Sequence, residues 1–110
     1  MTPQELIEYW IQAAERDLPV IEHLFDKGDY VWSLFIAHLV IEKILKAHFV
    51  KANSALPPKT HDLIKISKTI NLGFTEEQME FLDLVNEFNI EARYPEEKFN
   101  FYKKMHKRIY

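Results

Sequence analysis

Three polar side chains, His38, Glu42 and Lys46, stand at i, i+4 and i+8 of the segment "VWSLFIAHLVIEKILKAHFV". On a helix this spacing draws one polar line along an otherwise apolar cylinder. Groups of this kind cost free energy when buried unless they find partners or face a wet cleft. In a cleft, His38 would supply a proton acceptor, and Glu42 and Lys46 would supply polar contacts to a ligand. The plainer reading is a solvated helix edge steadied by a Glu42–Lys46 pair, worth about 0.2–0.5 kcal/mol.

Two further places carry groups of the same type. His61 and Asp62 open a short segment after "LPPKT". There an aspartate suits the helix dipole, and a histidine is either a surface residue or a cleft group. Arg93 and Tyr94 lie in "EARYPEEKFN". Arg93 is either a cleft arginine or a charge beside the last carbonyls of a helix, since Pro95 disfavours a helical Tyr94.

Other chemistries find little support. Cysteine is absent, which removes disulfides, thiolate metal sites and a thiol nucleophile. No HxxxH or HExxH spacing occurs, and His38 and His48 point to different faces, so no metal is expected. There is no GxSxG elbow, no glycine-rich phosphate loop and no distinctive carboxylate pair. No cofactor is implied. The basic, aromatic tail "YKKMHKRIY" would suit RNA, although such a segment is more often the polar face of a terminal helix.

The elements that must position these residues are helical. With 110 residues, 47% of them apolar and 28% charged, the chain is expected to be one globular domain spanning residues 1–110. Its net charge of −3 gives no bulk attraction to nucleic acid. It shows neither a signal peptide nor an apolar run of membrane-spanning length, and a cytoplasmic location is the default.

Thr2, Pro3 and Glu5 form a helix-start signature, and apolar residues then recur at helical spacing to Phe25. Pro19 should kink or break this helix, Gly28 should stop it, and Asp29 should cap the next. The second helix, about 30–52, is apolar on more than one face. Its expected core face carries Trp32, Phe35, Ile36, Leu39, Val40, Ile44 and Phe49, with Leu34, Ile41 and Leu45 on a neighbouring face. A small domain has few ways to bury both, so homodimerisation through one is expected. Thr60 should cap a third helix over 61–70, ended by Gly73. Thr75 and Gln78 should form a capping box for a fourth running to about Glu91, and a final helix should follow Pro95. The architecture expected is all-α: an up-and-down bundle of four to five helices with a long antiparallel hairpin of helices 1 and 2.

Taken in order, "AAERDL", "GDYVWSLFIAHLVIEKILKAHFV", "LPPKTHDL" and "EARYP" resemble the HEPN domain, in its small RYP-bearing subgroup, over about residues 5–100. The resemblance implies a dimerising helical bundle, often encoded beside a minimal nucleotidyltransferase in a toxin–antitoxin-like pair. Active members are metal-independent ribonucleases with an arginine and a histidine separated by four to six intervening residues in the dimer cleft. There the arginine stabilises charge on the scissile phosphate and the histidine acts as base or nucleophile.

This chain departs from that signature. The positions where the histidine would fall after Arg93 hold Lys98, Phe99 and Asn100, and the next histidine is His106. The expected function is therefore a dimeric binding or regulatory protein that partners a minimal nucleotidyltransferase. Its cleft would hold a nucleotide or RNA against Arg93, Tyr94, His38, Glu42, Lys46 and His61. The alternatives are a ribonuclease toxin using Arg93 with His38 or His61, and a structural dimeric helper without a small ligand.

Overall fold

The computed structural model describes residues 1–93, with side chains to Glu87. The described chain folds into four helices: α1 (Pro3–Asp26), α2 (Tyr30–Asn53), α3 (Leu63–Ser67) and α4 (Glu76–Arg93). No strand occurs among the described residues. The architecture is the all-α one expected, with α1 and α2 packed as a long hairpin. The helix expected after Pro95 lies outside the described residues.

Local chemistry sets the helix ends. The Thr2 hydroxyl accepts from the Glu5 amide at 3.1 Å while the Glu5 carboxylate accepts from the Thr2 amide at 3.0 Å, a reciprocal capping box. Thr75 and Gln78 repeat the device before α4, at 3.1 and 2.9 Å. At the other end of α1, Gly28 adopts a left-handed φ of 82°. Its amide bonds to the Phe25 carbonyl and that of Asp29 to the Leu24 carbonyl, the paired bonds of a Schellman turn.

Three local expectations are corrected. The helix runs unbroken through Pro19. Glu15 and Pro19 are both exposed, so the carbonyl that loses its amide partner is open to water. Asp29 stands at the N-cap of α2 but makes no side-chain cap bond. The third helix is short and is capped by Asp62, whose carboxylate accepts from the amides of Ile64 and Lys65. Thr60 instead receives the Asp62 amide at 3.1 Å.

Alanines 13 and 14 are buried in α1, and their small side chains suit close approach to α2. The Ser33 hydroxyl donates to the Ile21 carbonyl at 2.7 Å, and Lys43 pairs with Asp17 across the hairpin. The main core lies where α2, α3 and α4 meet, around Val31, Leu45, Leu63, Ile66, Ile70, Leu82 and Val85. Leu63 and Ile66 are wholly buried, each side chain contributing about 1.5–3 kcal/mol. The buried surface of α2 matches the expected one in part: Val40 and Leu45 are buried, and Leu34, Phe35, Ile41 and Phe49 pack against the core. Trp32 is 44% exposed and Ile44 36%, while Ser33, His38, Glu42 and Lys46 are buried.

Candidate functional site

The polar line on α2 is buried because the chain folds back over it. After Ser54 ends α2 in a left-handed conformation, Pro57 and Pro58 lead an irregular segment back along the helix to Asp62. His61 thereby meets two residues one helical turn apart. Its backbone carbonyl lies 2.9 Å from Nε2 of His38, and its Nδ1 lies 2.8 Å from Oε1 of Glu42.

The acceptors fix the tautomers. A carbonyl can only accept, so Nε2 of His38 carries hydrogen. A carboxylate likewise requires hydrogen on Nδ1 of His61, which leaves Nε2 of His61 as the ring nitrogen not spent on Glu42. The His38 ring is fully buried, whereas the His61 side chain is 54% exposed. The expected cleft histidines therefore differ in kind: His38 is sealed inside, and His61 presents a ring edge to solvent.

Glu42, 5% exposed, is the hub. Its second oxygen accepts from Lys46 Nζ at 3.1 Å, and His38 Nδ1 stands 3.9 Å from the first. The Glu42–Lys46 pair expected from the spacing is thus present, but not as a solvated helix edge. Buried, it carries a large desolvation cost that its partners must offset. Lys46 also lies 5.4 Å from the centre of the Trp10 ring, close enough for a cation–π contact from α1. Trp10 Nε1 is buried with no acceptor among the described residues.

The far side of the His61 segment is held by α4. Asn86 accepts from the Leu63 amide at 2.9 Å and donates to the Asp62 carboxylate at 2.9 Å. Residues 61, 62 and 63 are therefore gripped in succession by α2 and α4. Arg93 follows Asn86 by seven residues, two turns and about 10 Å along the helix axis. Its side chain and all of Tyr94 lie outside the described residues.

Of the six expected ligand residues, the fold brings His38, Glu42, Lys46 and His61 together. Trp10 and Asn86 join them unannounced. In the sequence Trp10 is one apolar residue of an amphipathic helix, and Asn86 is one polar residue among many. Neither carries a spacing signal. Among the described residues, no three potential metal ligands cluster.

The arrangement can do two things chemically. With Nε2 unprotonated, His61 offers a lone pair in a fixed position, oriented by a buried carboxylate. Protonated, the same ring offers a positively charged donor whose counter-charge is already in place. Comparison with known families gives a match to the HEPN domain over residues 7–109. No curated protein and no solved structure matches the chain.

Proposed function

Because the chain belongs to the HEPN domain family, matched over residues 7–109, we propose that it is a binding and regulatory module rather than a nuclease. In this reading it is a homodimer that partners a minimal nucleotidyltransferase in a toxin–antitoxin-like pair, in the cytoplasm. The cleft between subunits holds a nucleotide or RNA. The observation that carries the reading is the closure of the Glu42 network. His38 and Lys46 are buried and engaged, so only one imidazole edge of the cluster is available to a ligand. The residues after Arg93 support it, since none at the family spacing is a histidine. No described helix is long and apolar enough to cross a membrane, which fits this setting.

The test is affinity capture of the chain from native lysate, with mass spectrometry of co-purifying proteins and small molecules. A nucleotidyltransferase and a nucleotide are expected, with a dimeric mass in solution. Rapid, Arg93-dependent cleavage of RNA by the purified protein would overturn the reading.

One observation favours the ribonuclease reading instead: the His61–Glu42 contact has the form of a carboxylate-oriented base. Under it, expression arrests growth, and both Arg93→Ala and His61→Ala relieve the arrest. His38, fully sealed, would serve only to position His61.

A further inference from the structure

We propose that residues 98–109 of this chain dock as an antiparallel helix on the outer face of α4, with Lys104 opposite Glu87 and Arg108 opposite Asp83. The proposal is independent of the ligand reading above. It assigns an occupant to a face that the other described helices leave open.

The face is what α4 does not bury. Leu82 and Val85 turn into the core, and Asn86 reaches Asp62. On the other side Phe81 stays 56% exposed, with the part-buried Leu84 one turn further on. Beside this apolar strip run Glu80, Asp83 and Glu87, at i, i+3 and i+7. None of the three has an ion pair among the described residues. Oε2 of Glu87 is buried and has no hydrogen-bond partner there. A carboxylate oxygen taken out of water without a donor costs free energy, and a cation at this point removes the cost.

Charge and spacing identify the occupant. Residues 94–110 carry five lysines and arginines against two carboxylates, whereas residues 1–93 carry nine against fifteen. On a helix Tyr102, Met105 and Ile109 form an apolar strip at i, i+3 and i+7, and Lys104 and Arg108 follow one edge of it. That edge lies on the same rotational side of its strip as the acidic edge does on α4. In an antiparallel pair of right-handed helices, edges on the same rotational side meet.

The connection sets the register. Pro95 lacks the amide needed to continue α4. A short link makes successive helices antiparallel neighbours. Residues 87 and 104 are equally far from the middle of a link over 94–97, and so are 83 and 108. Lys104 and Arg108 are then spent on the chain's own carboxylates rather than on an RNA backbone. Arg93 and Tyr94 fall together at the bend.

The test uses the absence of cysteine from the chain, so that an engineered pair reports alone. The full chain carrying Phe81→Cys and Ile109→Cys is oxidised, then read by non-reducing electrophoresis and peptide mass spectrometry. A disulfide within one chain is expected. Phe81→Cys with Lys107→Cys, which lies across the helix from the strip, should link at least about fivefold more slowly, since side chains that point apart cannot be bridged. No disulfide, equal rates for the two pairs, or a disulfide joining two chains overturns the proposal; the last gives the face to a second copy.

Charge exchange tests the register. Glu87→Lys and Lys104→Glu should each raise the unfolding constant about fivefold, and the two together should recover most of the loss. Losses that simply add overturn the pairing. Should a charge variant fail to fold, the cysteine pairs decide alone.

Discussion

The sealed imidazole of His38 holds the backbone carbonyl of His61 at 2.9 Å, joining the centre of α2 to a residue 23 positions later. This bond fixes the irregular return segment without using either ring nitrogen of His61. Replacing His38 by leucine keeps the bulk but leaves that carbonyl without its donor. The expected cost is about 1–3 kcal/mol, read from urea unfolding midpoints.

Glu42 makes a sharper case, because it compensates a buried ammonium. Glu42→Ala leaves Lys46 without a carboxylate and is expected to cost about 3–5 kcal/mol. Adding Lys46→Met should recover much of the loss, since the uncompensated charge is then gone. A double-mutant cycle measured by chemical denaturation gives the coupling, and a coupling near zero would mean that the pair is solvated.

Asn86 and Asp62 act on one segment and should not behave independently. Asn86→Ala removes a partner from the Leu63 amide and from the Asp62 carboxylate, and Asp62→Ala removes the cap of α3. Each is expected to cost about 1–2 kcal/mol. The double variant should cost less than the sum by about 0.5 kcal/mol or more, as thermal unfolding of the three variants would show.

The start of α1 offers a dependence on acidity. Hydrogen bonds to Glu5 from the Thr2 backbone, and then from the Thr2 side chain, hold its carboxyl below the ordinary value of 4.5. A carboxyl depressed on folding contributes stability that is fully present above its unfolded value and is lost as pH falls through the folded one. Glu5→Gln should therefore be less stable than the parent at neutral pH, with the gap closing below about pH 4.5 in a series of thermal melts.

What the sequence made legible follows from the range of each interaction. Capping boxes at Thr2 and Thr75 span three residues and were readable, as were the helices they start. The line His38–Glu42–Lys46 was readable as spacing, but its burial was not. That burial depends on His61, which lies 19 positions beyond Glu42 and whose side chain alone resembles a surface group. The face of α2 was misjudged at Trp32 and Ile44 for a related reason. A helix apolar on all sides carries no periodic signal of which side the other helices cover. Trp10 and Asn86 enter the site only through tertiary packing.

The return segment also has a kinetic signature. Residues 57–62 form no helix, and an irregular surface stretch would ordinarily trade its amide hydrogens for deuterium through local fraying. Here the Thr60 amide is bonded to the Pro58 carbonyl, the Asp62 amide to Thr60, and the Leu63 amide to Asn86. The first two bonds are local and lie near the surface, but the Leu63 amide is held by a side chain of α4 and its residue is wholly buried. Its deuterium uptake should therefore follow the slow clock of the helical core, while the amides of Thr60 and Asp62 exchange sooner.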